Sequence, residues 1–412
     1  MHGRILPVLT IGAICALSCG YLRFYATTSS DQPRVVEPER AVRGLSAAPL
    51  RGDVLFEAAV GREGRHLFIP AKILGKQVRL QLDTGCTRSA LDLRFQAELT
   101  PSRDRIEIET PGGFSNVEGF QCPPIELGTL TVSSSGPIFC TDFSAVRQMS
   151  GQAFDGVLGM DVLSNFIVQI DFDAGKVRFL KDLPTTEWLG SAIPIIYGDR
   201  REPLVQVRCG DASHRLIIDT GSNSTCLEKE LFDVLAKAGA IDVGGTHSVM
   251  TASGEVGSRS GLLRELAMGP FTHSDTLCDR DRLGLLGLKY LSRFHVTMDF
   301  PAKTAYFREG SRYAEADPRG VTGLRPVPTE TGFRVGVVAP GGAASLAGVL
   351  PGDEILAING ESTDSMDLFE MGRILTSKPG RTLVMSLRRD GRELEARPTI
   401  KDRFSISQAE RP

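Results

Sequence analysis

The chain has 412 residues, 41% hydrophobic and 24% charged, with a formal net charge of −3. That length permits about two to four domains with ample core, and the composition is ordinary for a folded protein. The slightly acidic balance argues against a nucleic-acid surface, which needs a clustered basic face. The six His residues have no Cys or acidic neighbours at metal-ligand spacing, so no metal ion is expected.

Arg4 precedes an apolar run of 18 residues, Ile5 to Leu22. This is long for a signal-peptide core and short for a comfortable membrane span. A cleaved signal peptide, a retained signal anchor and a lipoprotein signal all stay open. Ala16-Leu17-Ser18 offers small residues for a signal peptidase, and Cys19 follows, although Ala16 stands where a lipoprotein signal usually has Leu. Each reading exports the body to the periplasm or another extracytoplasmic space, with membrane anchorage through residues 5–22 as one option. Residues 1–30 are therefore read as targeting. Residues 31–54, polar with Pro33, Pro38 and Pro49, are read as a flexible linker. Six cysteines follow. Their even number permits disulfides without choosing a connectivity. Cys122 and Cys140 flank one expected hairpin and are the pair to test; buried thiols are the alternative.

Leu67–Ala71 and Val78–Leu82, joined by Gly75-Lys76, read as a β-hairpin ending in Asp83-Thr84-Gly85. The Asp supplies a carboxylate, the Thr hydroxyl can hold a turn, and the Gly lets backbone approach backbone. Glu109 to Phe114 is a glycine-rich turn between short strands. Phe154 to Met160, with Gly156-Val157-Leu158-Gly159, reads as a core strand bordered by turns. Asp161 and Asp171 are read as strand-end solubilisers. Residues 184–200, with Pro184, Gly190, Pro194 and Gly198, read as a connection, and Trp188 is expected to pack there between two lobes.

The pattern then repeats. Leu204–Val207 and Arg215–Ile218 form a second hairpin ending in Asp219-Thr220-Gly221, at an offset of 136. Leu91, Phe95 and Leu99 recur at that offset as Leu227, Leu231 and Leu235. Gly284-Leu285-Leu286-Gly287 repeats Gly156–Gly159 at an offset of 128. From there Leu163, Ser164, Phe166, Val168, Asp171, Phe172 and Phe179 recur as Leu291, Ser292, Phe294, Val296, Asp299, Phe300 and Phe307. Val249 to Gly254 matches the first glycine-rich turn. The chain carries a tandem duplication of a β-rich lobe.

Two lobes, each with a strand, Asp-Thr-Gly, a hairpin and a hydrophobic-hydrophobic-Gly segment, resemble the retropepsin-like and pepsin-like aspartic proteases over roughly residues 55–310. The resemblance implies a mainly β fold of two duplicated acid-protease β-barrel lobes, residues 55–185 and 186–312. It implies Asp83 and Asp219 as the catalytic pair, Thr84 and Thr220 locking the two loops, and Gly85 and Gly221 permitting their approach. It also implies a flap over the substrate, with Thr110, Gly112 and Gly113 or Thr251 and Gly254 as candidates. Ser222 follows the second motif, where the hydroxyl of pepsin-like enzymes helps bond the carboxylate; the first lobe has Cys86. A thiol is the weaker donor, so Asp83 is expected to be less stabilised as an anion than Asp219, and the optimum less acidic than a digestive enzyme's.

After Arg308 a polar stretch leads into a different composition. Gly341-Gly342-Ala343-Ala344, Pro351-Gly352-Asp353 and Ile358-Asn359-Gly360 resemble a PDZ domain of the bacterial, protease-associated kind over residues 320–402, a small β-barrel with helices, leaving 403–412 as a tail. Ser365 to Ser377 reads as its groove-lining helix, with Leu368, Met371 and Leu375 at helical spacing. Gly332, Phe333, Arg334 and Val335 are expected to receive a C-terminal peptide by strand addition. The alternative is a PDZ fold that packs on the protease and regulates access.

The leading expectation is thus an exported monomeric aspartic endopeptidase acting on extended polypeptide. It needs no cofactor, because water is the nucleophile. A catalytically idle peptide receptor is the alternative from another class, and two complete Asp-Thr-Gly units argue against it. A dyad formed across a homodimer is made unnecessary by the duplication.

Overall fold

Each lobe is built on the hairpin that carries its Asp. Phe68–Ile73 pairs with Lys76–Leu82, and Leu74 and Gly75 close the turn with φ of 51° and 77°, the twist that suits tight hairpins. Leu80 and Leu82 point into the core, as alternation requires. In the second lobe Pro203–Cys209 pairs with Ala212–Ile218 in the same way. The computed structural model describes residues 26–27, 53–110, 113–134, 136–183, 189–251 and 254–405. The expectations for the remainder of residues 1–52 and for Trp188 lie outside the described residues. Among those described, no helix is long and apolar enough to cross a membrane.

A short strand then threads back beside each Asp-bearing strand. Gly156–Leu158 runs parallel to Lys76–Leu82 and antiparallel to Ala90–Asp92. Leu285–Leu286 does the same between Ala212–Ile218 and Thr225–Glu228. Each is followed by a one-turn helix, Met160–Leu163 or Leu288–Leu291. The duplication is therefore structural, and the architecture is mainly β.

The two halves are also joined to each other. They share a six-stranded sheet whose central pair is Ile167–Asp171 from the first half and Phe294–Asp299 from the second. Lys176–Leu180 and Val54–Ala59 extend it on one side, Thr304–Glu309 and Ser191–Pro194 on the other. Part of the expected connection, Ser191–Pro194, is thus an outer strand of this sheet. Val168, Ile170, Val296 and Met298 are buried at its centre. Asp171 is no bare solubiliser, since His295 bonds it at 3.2 Å and Asp173 at 3.1 Å.

The third unit has a sheet in the order Leu324–Thr329, Gly332–Val338, Glu354–Ile358, Met385–Arg389, Arg392–Ala396. Its helix Leu368–Leu375 starts with a capping box: Asp367 accepts from Glu370 N–H at 2.9 Å, and Glu370 accepts from Asp367 N–H at 3.1 Å. Asp353 closes the Pro-Gly-Asp turn, accepting from Leu350 N–H at 2.9 Å and from Arg389 Nε at 2.6 Å and Nη2 at 2.8 Å.

This unit touches both lobes. Arg65 of the first lobe pairs with Asp367 and with Glu370 at 3.0 Å, and lies 4.8 Å over the Phe369 ring. Glu63 pairs with Arg373. A Cβ at Gly151, which ends the first-lobe helix Ser144–Ser150, would lie 3.1 Å from Pro328. On the other side Arg403 and Phe404, expected in a tail, are buried; Arg403 reaches Ser260 Oγ at 3.4 Å.

Candidate active site

The two Asp-Thr-Gly turns meet at the junction of the lobes. Asp83 N–H donates to Leu158 O at 3.1 Å and Asp219 N–H to Leu286 O at 3.0 Å, so each Asp leaves its strand tied to the returning strand. Thr84 Oγ1 donates to Ile218 O at 2.6 Å, and Thr220 Oγ1 to Leu82 O at 2.9 Å. Both hydroxyls also accept a backbone N–H from the opposite lobe. Each of these four threonine bonds crosses between lobes and is buried, where an unmade partner would be costly.

The glycines set the distance. A Cβ at Gly85 would lie 2.5 Å from Asp219 Cγ, and one at Gly221 would collide with the Asp83 carboxyl. Each carboxylate therefore packs on the other lobe's glycine, and only glycine admits this approach. Asp83 Oδ1 accepts from Gly85 N–H and Cys86 N–H, both at 2.9 Å. Asp219 Oδ1 accepts from Gly221 N–H at 2.9 Å and Ser222 N–H at 3.1 Å. The result is two buried carboxylates, near-equivalent by a two-fold relation, with backbone dipoles aimed at each.

Residues 69–162 match the aspartyl protease family, and residues 334–389 match the PDZ domain family. No curated protein matches the chain. The chain joins an aspartyl-protease domain to a PDZ domain.

In this protease–PDZ chain the residue after each motif works mainly through its backbone. Cys86 Sγ donates to Arg88 O at 2.8 Å and Ser222 Oγ to Ser224 O at 3.2 Å, while their N–H groups face the carboxylates. Gly159 and Gly287 allow the returning segments to pass close: a Cβ at either would lie 2.8 Å from Cys86 O or Ser222 O. Asp161 is not a strand-end solubiliser. Its Oδ1 accepts from Ser89 N–H at 2.9 Å and Ser89 Oγ at 2.7 Å, and Ser89 Oγ accepts from Gly159 N–H at 3.0 Å. Burial pushes the Asp161 carboxyl up, against those bonds.

Both expected flap hairpins form. Pro101–Thr110 pairs with Gly113–Phe120, closing at Thr110 and Gly113; Ile241–Thr251 pairs with Gly254–Met268, closing at Thr251 and Gly254. Gly112 lies outside the described residues. All six cysteines after residue 30 are thiols, so no Cys122–Cys140 disulfide is present. Burial pushes Cys140 up to about 12.

The PDZ residues need a correction. Gly332, Phe333, Arg334 and Val335 lie on an interior strand, paired with Leu324–Thr329 on one side and, through Phe333 and Arg334, with Glu354–Ile358 on the other. Strand addition requires an open edge. Of the sheet's two outer strands, Leu324–Thr329 is the one beside helix Leu368–Leu375, and its Pro328 also approaches Gly151 of the first lobe.

Sequence reasoning passed over Gln81, which is buried one strand residue from Asp83's own Leu82. Its Nε2 donates to Gly221 O at 3.2 Å, another bond between lobes, and lies 3.2 Å from His66 Nδ1. Burial holds His66 down to about 4, so the neutral ring offers a lone pair there. The available signal was the repeat itself, in which Gln81 stands opposite Ile217.

Proposed function

We propose that the protein is an exported aspartic endopeptidase in which Asp83 and Asp219 share a proton and activate water. The mutual packing of each carboxylate on the other lobe's glycine carries this reading. Two carboxyl groups held so close do not both ionise readily, and they titrate as a pair. The ionised member takes a proton from water as it attacks the scissile carbonyl; the protonated member delivers its proton as the tetrahedral species forms and collapses, releasing the amine. Backbone N–H groups of Gly85, Cys86, Gly221 and Ser222 fix both carboxylates in place beforehand.

The substrate is extended polypeptide, laid between lobes whose two long hairpins supply flap candidates. The apolar segment Ile5–Leu22 supports export and membrane anchorage, and the monomer is the functional unit because both Asp residues lie in one chain. The PDZ domain recruits peptide segments. Along its edge strand Pro326 and Pro328 sit where backbone groups turn outward, and proline has no N–H. A docked peptide is therefore held through its own N–H groups, donated to the Pro326 and Pro328 carbonyls. The test is digestion of an unfolded protein by the full chain from acid to neutral pH, with fragments mapped by mass spectrometry and C-terminal peptides added in parallel. Defined internal cleavage supports the reading. A folded chain that cuts nothing, with or without peptide, contradicts it.

A further inference from the structure

The threonine bonds and the backbone bonds to the two carboxylates come in two-fold pairs, and the bond from Gln81 does not. Gln81 donates to Gly221 O, whereas the equivalent residue of the second lobe, Ile217, has no donor and packs with Cys226 and Leu285. Gly221 C=O and Ser222 N–H are the two ends of one peptide group, and that N–H donates to Asp219 Oδ1. A hydrogen bond accepted at the oxygen of a peptide group polarises the group and strengthens its N–H as a donor. Gln81 therefore reaches Asp219 through one peptide unit. Its amide has two protons to place, and His66 Nδ1 takes the second, which fixes the side chain in this direction.

We propose that Gln81 is a positioning residue that breaks the symmetry of the dyad, making Asp219 the anion that activates water and Asp83 the carrier of the shared proton. The assignment rests on the endopeptidase reading for its chemistry, but the asymmetry itself exists whether or not the chain cleaves peptides. Nothing in the sequence pattern demands a polar residue at this buried position, where an aliphatic one would complete the core of the lobe as Ile217 does.

The test uses the full chain with Gln81→Met, which keeps the volume and removes the donors, and Gln81→Asn, which keeps the amide and shortens its reach. Two readouts run together: the pH profile of kcat/KM, and titration of the Asp carboxyl carbons by NMR, assigned by their loss in Asp83→Asn and Asp219→Asn. Removing a bond that favours the anion raises the pKa of that anion. The acid limb and the first dyad titration should both move up by about 0.3 pH unit, an approximately two-fold loss of activity on that limb. Asp219 should be the carboxyl that ionises first in the wild type. If either variant folds and both curves superimpose on the wild type, or if Asp83 ionises first, the proposal fails. Should the wild type cleave no peptide, the endopeptidase reading fails, and the carboxyl titration still decides the role of Gln81.

Discussion

Thr84 and Thr220 hold each other across the lobe junction: Thr84 N–H donates to Thr220 Oγ1 at 3.1 Å, and Thr220 N–H donates to Thr84 Oγ1 at 3.0 Å. Each hydroxyl also donates to a carbonyl of the opposite lobe. Thr→Val at either position keeps the shape and strands two buried backbone groups. The expected loss is about 2–4 kcal/mol of unfolding free energy, read from chemical denaturation. A loss below about 0.5 kcal/mol would mean that the hydroxyls are not what joins the lobes.

Gly85→Ala and Gly221→Ala address the carboxylates directly. A methyl group at Gly85 has nowhere to go but the Asp219 carboxyl, 2.5 Å away. Displacement of a reacting group by about 1 Å costs on the order of 100-fold in rate, so either variant should lose at least that much kcat while binding peptide with little change. Near-normal kcat in both would show that the carboxylates do not need this spacing.

His66 gives a pH-dependent outcome. Its folded pKa lies at about 4, below the ordinary 6.5, because burial disfavours the charged ring. As pH falls the unfolded chain takes up the proton first. The stability contributed by neutral His66 is therefore complete above 6.5 and drains away as pH drops from 6.5 to about 4. Nitrogen NMR at pH 5 should show a neutral ring with the proton on Nε2, leaving Nδ1 to accept from Gln81. Titration near 6.5 would contradict this.

Much of the protease was legible in the sequence because duplication repeats chemistry as well as hydrophobicity. Asp-Thr-Gly recurs with its aliphatic lead-in, and the later register holds from Leu163 to Phe179 without a gap. The shared sheet was not legible. Ile167–Asp171 alternates like any half-buried strand, and nothing local says that its partner is Phe294–Asp299 rather than a strand of its own lobe. Gln81 was missed for a related reason: in Val78-Arg79-Leu80-Gln81-Leu82 it reads as the solvent side of an alternating strand, yet the second lobe covers that side. In the PDZ domain the peptide-receiving strand was expected at Gly332–Val335, whereas the outer strand is Leu324–Thr329, which carries Pro326 and Pro328. An edge strand tolerates proline where its backbone faces outward, and that is where these two stand.

The PDZ contact with the first lobe is electrostatic and half-exposed. Arg65, Asp367 and Glu370 have side chains 29%, 34% and 44% exposed, and such pairs contribute roughly 0–1 kcal/mol each. Arg65→Ala should leave global stability within about 1 kcal/mol of the wild type, yet increase hydrogen exchange across Leu368–Leu375 as that helix loses its hold. Unchanged exchange would place the attachment elsewhere, at the Glu63–Arg373 pair, the approach of Pro328 to Gly151, or Arg403 and Phe404.

The most direct measurement is cleavage of an unfolded protein by Asp83→Asn, by Asp219→Asn, and by the two variants mixed. A dyad contributed by a single chain requires that each variant alone be inactive and that mixing restore nothing. Activity in either variant alone, or its return on mixing through exchange between chains, would contradict the pairing of Asp83 with Asp219.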